Sequence, residues 1–175
     1  MKIVKTKFTG LIIYPRASYN DSRGYFRELF LEKTLNKKFI FDYISLSKKN
    51  VIRGLHFQIK KPQIKLVTVL KGKIIDYCIN LRKNSDDFGK IYRFILTPGK
   101  ILLIPKFYAH GMGCLEKTNI FFYHLSEYRH SQYEMGIKYN DSDLKLKWNI
   151  KKPIISKRDL NHISLKEFKK RFKGI

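Results

Sequence analysis

The sequence is poor in the features that mark several whole classes of protein. Its 175 residues include five prolines, two cysteines and one tryptophan, and only 14 of them are acidic. The longest apolar runs, such as 101–104, are far shorter than the roughly 20 residues that cross a bilayer, and 11–13 is too short for the apolar region of a signal peptide. Cys78 and Cys114 lie far apart in apolar sequence, which excludes a disulfide scaffold and predicts buried thiols in a reducing compartment. We therefore expect a cytoplasmic protein with no membrane partner.

Basic residues are plentiful where acidic ones are scarce. The 37 lysines and arginines give a formal net charge of +23 with neutral histidines. Such a surface attracts anionic partners, including phosphorylated metabolites and nucleic acids. The lysines, however, are spread along the whole chain, as Lys2, Lys37, Lys90, Lys145 and Lys170 illustrate. Because no single tract gathers them, we interpret the charge as a solvated surface and expect no nucleic acid partner.

Apolar content and its spacing predict a single β-rich domain over residues 1–175. A hydrophobic fraction of 43% and an aromatic fraction of 14% are enough to fill its core. Between Tyr43 and Trp148, β-branched and apolar segments recur at intervals of about 10 residues and are separated by turns. This spacing predicts an antiparallel sandwich or barrel. The clearest predicted strands are 64–70, 74–81, 91–96, 101–104 and 119–125.

Helical signals are confined to the two ends of the chain. A short helix is predicted over 29–35. The sequence Ser-Leu-Lys-Glu at 164–167 is a capping box, whose side chains satisfy free N–H groups at a helix start. Three apolar residues within 165–172 then fall on one face at helical spacing. We predict a short helix over about 164–173 that packs on the barrel, rather than a basic amphipathic helix that contacts a membrane or nucleic acid.

Residues suited to chemistry cluster at 54–58, which contains His56, at 105–111 and at 121–124. The sequence has no Gly-x-Ser-x-Gly elbow, no phosphate-binding glycine loop and no dinucleotide fingerprint. It has no His-x-His pair and no carboxylate at a metal-binding local spacing, although distant residues can still converge on folding. Proton transfer beside a carbonyl group remains, because it needs a histidine base, a tyrosine acid and a lysine that stabilises an enolate.

Eight short segments match, in order, the motifs of one enzyme family. They are 21–30 (DSRGYFRELF), 51–58 (VIRGLHFQ), 63–67 (QIKLV), 88–90 (FGK), 104–105 (IP), 109–111 (AHG), 136–141 (GIKYND) and 155–159 (ISKRD). Each segment is weak alone, but the ordered set is specific and runs from about Lys7 to about Phe168. The chain thereby resembles the dTDP-4-dehydrorhamnose 3,5-epimerases and their relatives that act on nucleotide-linked 4-keto sugars.

This resemblance implies a fold, an assembly and a reaction. The implied fold is all-β dominated and of the cupin type, a double-stranded β-helix or jelly roll with short flanking helices. The implied assembly is a homodimer, and the implied reaction uses no metal ion and no organic cofactor. The substrate would be a nucleotide-diphosphate 4-keto-6-deoxy sugar. Its C3, its C5 or both carbons would be inverted by proton removal and return through an enolate.

The family motifs imply a role for each matching residue. His56 is expected to take the proton, Asp159 to orient its imidazole, Lys65 to stabilise the enolate oxygen at C4, and Tyr123 to act as the acid on the opposite face. A histidine held by a carboxylate, and an ammonium beside a developing oxyanion, suit these steps. A second set is expected to bind the substrate: Arg23, Phe26, Glu28, Arg53, Gln58, Asp76, His110 and Arg129. The first three belong to a segment that is expected to reach the nucleotide across the dimer.

The chain departs from the usual family pattern around the nucleotide and the sugar. Phe41 and Tyr43 stand where glutamine and asparagine are usual, Arg129 where an aromatic residue is common, and His124 where lysine is common. We therefore expect the chemistry to be retained, with either dTDP-4-keto-6-deoxyglucose or a GDP-4-keto-6-deoxy-heptose as substrate. An arginine at position 129 suits a guanine or a diphosphate. The alternatives are a non-catalytic cupin that binds an anionic sugar or nucleotide, and a metal-dependent cupin oxygenase or isomerase.

Overall fold

The computed structural model describes residues 4–5, 10–30, 35 and 37–175, which form mainly antiparallel strands. A 3₁₀ turn covers Ser131–Tyr133, and two short helices follow, α1 (Lys157–Leu160) and α2 (Leu165–Phe172). The strands are β1 (Val4–Lys5), β2 (Ile12–Pro15), β3 (Tyr19–Asp21), β4 (Gly24–Phe26), β5 (Phe41–Lys48), β6 (Ile52–Gln58), β7 (Lys65–Lys71), β8 (Ile74–Asn80), β9 (Ile91–Leu96), β10 (Lys100–Ile104), β11 (Tyr108–Cys114), β12 (Thr118–Leu125) and β13 (Glu134–Gly136).

The strands form two main sheets. The first has the order β1-β2-β10-β7-β12-β5 and the second the order β13-β6-β11-β8-β9, while β3 and β4 form a separate hairpin. The paired strands in both sheets are antiparallel. The five strands predicted from the sequence are present as β7, β8, β9, β10 and β12, with bounds that differ by no more than one residue. This architecture is the predicted all-β-dominated jelly roll of the cupin type.

Side-chain alternation in the first sheet creates the core between the two sheets. Along β12, Phe121, Tyr123 and Leu125 are buried, whereas the residues between them are half-exposed on the outer face. The buried three belong to a hydrophobic cluster that also contains Val67 of β7 and Met112 of β11. Period-two burial is expected of a strand that has one face toward a core and one face toward solvent.

The second sheet is covered on both faces, so its central strands do not alternate. All seven residues of β8 and all seven of β11 are buried. Ile75, Tyr77 and Ile79 of β8 belong to a second cluster, which includes Trp148 and Phe168 from the C-terminal part of the chain. The C-terminal segment is therefore packed against the sheet that contains β6 and β11.

Helix α2 confirms the predicted C-terminal helix. Ser164 caps it by accepting a hydrogen bond from the Glu167 N–H at 3.0 Å. The Glu167 carboxylate pairs with Arg171, one turn further along the helix. Phe168 is fully buried and packs edge-on against Phe57 of β6, with ring centroids 5.3 Å apart. The helix thus packs on the barrel, as predicted.

Three smaller predictions have different outcomes. Cys78 and Cys114 are buried free thiols, as predicted. The helix predicted over 29–35 falls largely on 31–34, which lie outside the described residues, so it stays a prediction. Within the described ranges, none of the helices has the length and the hydropathy that a membrane span requires.

Candidate active site

A cavity of about 730 Å³ lies between the two sheets. Its walls come from β5, β7 and β12 on one side and from β6, β11 and β13 on the other, and 154–159 completes it. This volume falls within the roughly 300–1,000 Å³ that is typical of small-molecule sites. Eight of the twelve predicted site residues line the cavity: His56, Lys65, Tyr123, Asp159, Arg53, Gln58, His110 and Arg129.

His56 and Asp159 form a hydrogen-bonded pair although they are 103 residues apart in sequence, with 3.0 Å between His56 Nε2 and Asp159 Oδ1. The other carboxylate oxygen of Asp159 accepts the Gly54 N–H at 2.9 Å, and the Asp159 N–H donates to Ser156 Oγ at 3.1 Å. Burial alone would raise the pKa of Asp159, but the hydrogen bond and charge of His56, together with the Gly54 N–H, lower it to about 2. Asp159 is therefore an anion at neutral pH.

The ionised Asp159 carboxylate defines which nitrogen of His56 is free. An ionised carboxylate only accepts hydrogen bonds, so we assign the ring proton to His56 Nε2. Nδ1 then keeps its lone pair, and it has no hydrogen bond to any residue that the structure describes. The His56 side chain is 28% exposed, whereas that of Asp159 is 6% exposed. The arrangement therefore presents an oriented imidazole base to the cavity.

A glycine beside this pair lets β6 approach β11 closely. Gly54 has φ +115°, and a Cβ there would lie 2.6 Å from Gly111 Cα and 2.7 Å from the His110 carbonyl oxygen. Only glycine fits both the conformation and the space. The close approach places His56 and His110 directly opposite each other as cross-strand partners.

His110 forms a second histidine–carboxylate pair, with 2.7 Å between its Nε2 and Asp76 Oδ2. Both side chains are almost fully buried. Cys78 donates to the other oxygen of Asp76 at 3.6 Å. Asp76 lies behind His110 and does not line the cavity. It therefore acts on the site through its hydrogen bond to His110.

Lys65 and Tyr123 line the cavity from the first sheet, opposite the strand that carries His56. Burial lowers the pKa of Lys65, and the negative charge of Glu134 and Asp76 partly opposes that effect. Burial raises the pKa of Tyr123 well above its usual value, and nearby Tyr43 and Asp76 add to the shift. Tyr123 therefore keeps its phenolic proton at neutral pH and can donate it.

Tyr123 is held in place by its neighbours on two strands, β5 and β11. Its ring stacks on Tyr43 of β5, with centroids 4.5 Å apart and an interplanar angle of 21°. Its hydroxyl donates to Met112 Sδ at 3.5 Å, and its ring lies 6.4 Å from that of His110. Among the described residues, the Tyr123 hydroxyl therefore donates to a thioether, which is a weak acceptor. A bound ligand with a stronger acceptor can take over this hydrogen bond.

Three guanidinium groups line the cavity near the histidine pair. Arg129 and Arg158 both bind Glu134 Oε2, at 2.9 and 3.0 Å, and Arg53 Nε donates to Ser47 Oγ at 3.0 Å. Burial would raise the pKa of Glu134, but the Arg158 hydrogen bond, His56 and Arg129 together lower it. Such an arginine group suits a diphosphate, which guanidinium forks bind in bidentate fashion.

Gln58 holds the turn that carries Arg129. Its amide nitrogen donates to the Lys61 carbonyl at 2.8 Å, and its amide oxygen accepts the His130 N–H at 2.8 Å. The prediction that Gln58 also contacts substrate stays a prediction.

The predicted nucleotide-binding segment lies outside this cavity. Phe26 and Glu28 are exposed, and the Arg23 side chain extends from the β3–β4 hairpin to bind Asp21 at 2.7 Å. None of the three predicted residues lines the cavity of its own chain. The prediction that they serve a partner chain stays a prediction.

Sequence reasoning did not single out Glu134, Arg158 or His162. His162 is buried and lies three residues after Asp159, and its Nε2 is 3.9 Å from Asp159 Oδ1. Burial lowers the pKa of His162, and the nearby His56 lowers it further. A signal was available for His162, since the i,i+3 spacing from Asp159 places two side chains on one side of a helical turn.

Comparison with known proteins agrees with the family resemblance of the sequence motifs. The family model described as dTDP-4-dehydrorhamnose 3,5-epimerase matches residues 5–167. A dTDP-4-dehydrorhamnose 3,5-epimerase of Methanothermobacter thermautotrophicus is 38% identical over 95% of both chains. The crystal structure of the Elizabethkingia anophelis enzyme has a TM-score of 0.86 at 35% identity and covers 95% of this chain and 97% of its own.

A solved relative also holds a ligand. The Legionella pneumophila dTDP-6-deoxy-D-glucose-3,5-epimerase, in complex with dTDP-4-keto-L-rhamnose, has a TM-score of 0.89 at 33% identity, covering 94% of this chain and 93% of its own. The family match spans nearly the whole chain, and it includes the residues that line the cavity. The chain belongs to the dTDP-4-dehydrorhamnose 3,5-epimerase family.

Proposed function

We propose that this protein is an epimerase that inverts C3 and C5 of dTDP-4-keto-6-deoxyglucose. The observation that carries the proposal is the position of the His56–Asp159 pair on one side of the cavity, with Lys65 and Tyr123 on the facing sheet. A sugar bound between the sheets has a base on one face and an acid on the other, as inversion of a carbon requires. The relative that binds dTDP-4-keto-L-rhamnose supports the choice of dTDP sugar.

The reaction follows from the acidity that a ketone gives to its neighbouring carbons. His56 Nδ1 takes the proton from the carbon next to the C4 carbonyl, and the electron pair moves to the C4 oxygen as an enolate. The Lys65 ammonium stabilises that oxygen, an effect that is typically a few kcal/mol for one well-placed donor. Tyr123 then gives its phenolic proton to the opposite face of the carbon. The His56 imidazolium releases its proton to solvent, and a proton from solvent restores the phenol.

Asp159 assists without touching the sugar. Its carboxylate accepts the His56 Nε2–H, with 3.0 Å between Nε2 and Oδ1, and so favours one ring orientation and one tautomer. Its negative charge stabilises the imidazolium that forms after proton removal. The three cavity arginines, Arg53, Arg129 and Arg158, are in turn proposed to bind the diphosphate.

We also propose that the protein is a homodimer, because the first sheet has an apolar outer patch. Ile44 and Leu46 of the edge strand β5 are 66% and 63% exposed, and they pair with Phe122 and Ile120 of β12. We call these four residues the outer patch. An exposed apolar cluster of this kind marks a protein interface. In the dimer, the partner's hairpin segment that contains Phe26 would complete the nucleotide end of the cavity.

The dimer is tested by light scattering on the wild type and on an Ile44→Lys, Leu46→Lys double variant. We expect the wild type to have twice the mass of one chain and the variant to be monomeric, because two buried lysines in the interface are unpaired. A monomeric wild type at micromolar concentration would overturn the dimer proposal.

The proposed cellular location is the cytoplasm, whose reducing conditions suit the buried thiols Cys78 and Cys114.

The reaction is tested by deuterium incorporation from D₂O, counted by mass spectrometry. Separate samples contain dTDP-4-keto-6-deoxyglucose and a GDP-4-keto-6-deoxy-heptose, with an enzyme-free sample and a His56→Asn variant as controls. We expect two deuterons in the dTDP sugar, no net gain in the heptose, and loss of incorporation with the variant. Two deuterons in the heptose alone would show that the substrate is the GDP-linked sugar. One deuteron in the dTDP sugar, at C3, would make the enzyme a 3-epimerase.

The proposed reaction needs neither a metal ion nor an organic cofactor. Incubation with a chelator, followed by desalting, should therefore leave the deuterium incorporation intact. A rate that is lost with the chelator and restored by a divalent metal would favour the metal-dependent cupin instead. Wild-type protein that binds the dTDP sugar yet incorporates no deuterium would favour the non-catalytic cupin.

A further inference from the structure

His162 is a buried histidine that the proposed reaction does not use. Its side chain is 7% exposed, and neither ring nitrogen has a hydrogen-bond partner among the residues that the structure describes. Its ring lies edge-on to that of His56, with centroids 5.2 Å apart. It also occupies the space where a side chain at Gly136 would lie, so β13 must have glycine there. Buried polar groups in proteins nearly always have partners, so two unpartnered nitrogens require an explanation.

Asp159 points one oxygen at both imidazoles. The Gly54 N–H holds Oδ2 at 2.9 Å, and Oδ1 then lies 3.0 Å from His56 Nε2 and 3.9 Å from His162 Nε2. One ligand atom from each of the three side chains lies within 4.8 Å of the others. In a tetrahedral zinc site with bonds of about 2.0–2.2 Å, ligand atoms are separated by about 3.4 Å. The three side chains are therefore near the separation that such a site requires.

We propose that His56, Asp159 and His162 form a binding site for a divalent transition metal such as Zn²⁺, and that the bound metal inhibits the enzyme. Two imidazoles and one carboxylate form a ligand set that zinc commonly takes, with a fourth position left for water. His56 and Asp159 line the cavity, which gives the ion a route to the site. His162, whose ring nitrogens have no hydrogen-bond partner among the described residues, supplies through one lone pair the ligand that a histidine–aspartate pair alone would lack.

The inhibition follows from the tautomer of His56. Without metal, the ring proton is on Nε2, donated to Asp159, and the Nδ1 lone pair is the base. A metal that binds the Nε2 lone pair requires the ring proton to move to Nδ1, and neutral imidazole has no other lone pair. His56 then has no lone pair with which to act as the base. The part of the cavity that is proposed to hold the nucleotide is unchanged. We therefore expect bound Zn²⁺ to lower kcat and to leave KM within about twofold, as for an interaction made only in the transition state.

The site is tested first by binding, which does not depend on the proposed function. Chelator-treated wild type, His162→Phe and His130→Asn compete with a chromophoric chelator for Zn²⁺. Phenylalanine keeps a flat ring against Gly136 but offers no ligand. His130 pairs with Glu127 at 3.5 Å and serves as the matched control, because its histidine–carboxylate pair has no third ligand among the described residues. We expect one Zn²⁺ per chain for the wild type and the control, and affinity weakened by about 100-fold or more in His162→Phe, since loss of even an outer-shell partner costs about 10- to 100-fold.

Kinetics then test the inhibition, and this arm rests on the proposed function. Zn²⁺ should lower the kcat of deuterium incorporation by the wild type and leave His162→Phe active at the same metal concentration. Unchanged zinc affinity in His162→Phe, or inhibition that raises KM at constant kcat, would overturn the proposal. If His162→Phe does not fold, His162→Asn replaces it. A wild type that binds no Zn²⁺ in the micromolar range overturns the proposal, whatever the variants do. A protein without epimerase activity still gives the binding result, so the two failures are distinguishable.

Discussion

Two histidine–carboxylate pairs beside the cavity have the same chemistry and opposite surroundings. His56 and Asp159 are 3.0 Å apart with side chains 28% and 6% exposed, whereas His110 and Asp76 are 2.7 Å apart with side chains 5% and 0% exposed. The first pair joins β6 to α1 and is called here the open pair. The second joins the neighbouring strands β8 and β11 and is called the closed pair.

The comparison shows that access, rather than residue type, separates a base from a structural pair. In the open pair, one nitrogen of the imidazole is fixed by the carboxylate, and the other has no hydrogen bond to a residue that the structure describes. In the closed pair, Asp76 is fully buried and His110 lines the cavity with only 5% of its side chain exposed, so a change there disturbs the sheet itself. We therefore expect the open pair to control the rate and the closed pair to control stability.

The largest expected effect is that of Asp159→Asn on the rate. The amide cannot stabilise the imidazolium with a charge and does not enforce the Nε2–H tautomer, so kcat for deuterium incorporation should fall by about 10²- to 10⁴-fold. The measurement is the initial rate of incorporation into dTDP-4-keto-6-deoxyglucose, with a thermal melt as the control for folding. A variant that folds and retains a rate within threefold of the wild type would remove Asp159 from the mechanism.

The second effect is that of Asp76→Asn on stability. The change leaves His110 and Cys78 in a fully buried position without the carboxylate that accepts from both. Loss of a charged partner from a buried pair should lower the free energy of unfolding by about 3 kcal/mol. Urea unfolding of Asp76→Asn and Asp159→Asn at neutral pH measures the difference. A larger stability loss in Asp159→Asn would contradict the division between the open and the closed pair.

The third effect is a dependence of stability on pH, and it tests the low pKa of Asp159 in the open pair. The pKa of Asp159 is about 2 in the folded protein, below its ordinary value of 3.8. A lowered carboxyl pKa stabilises the folded state at pH values above the ordinary one, by about 2 kcal/mol here, and this contribution is lost as the pH falls toward 2. The excess stability of the wild type over Asp159→Asn should therefore shrink between pH 5 and pH 3 and lose about half of this contribution. An excess that stays constant over this range would contradict the lowered pKa.

Local sequence patterns predicted most of the fold. The apolar segment predicted as a strand over 119–125 and the capping box at Ser164 depend on residues close in sequence, and the structure confirms both as β12 and the start of α2. The same reasoning did not reveal the covering of the second sheet, because β8 is buried throughout and an apolar run of that length does not show which segment covers it.

The candidate site was less accessible to sequence reasoning. The contact between His56 and Asp159 joins residues 103 apart, and no local pattern predicts such a pair. Only the family resemblance suggested it. Glu134 and His162 were not found, since the first lies in a strand of three residues and the second just beyond a helix of four. Elements so short have no periodicity that would indicate which way a side chain points, and the i,i+3 spacing from Asp159 was the one signal for His162.

The smallest expected effect comes from the support of the open pair, and Ser156→Ala isolates it. Ser156 Oγ accepts the Asp159 N–H at 3.1 Å and caps α1, so its loss should cost about 1 kcal/mol of stability. Ser164→Ala is the matched control, because Ser164 caps α2 through the same kind of bond to the Glu167 N–H at 3.0 Å. Urea unfolding should give similar losses for both variants, whereas deuterium incorporation should slow only in Ser156→Ala. The slowing should stay within about tenfold, because the Gly54 N–H still holds the Asp159 carboxylate at 2.9 Å. Equal rates in the two variants would mean that Gly54 alone positions Asp159 and that the cap belongs to the fold only.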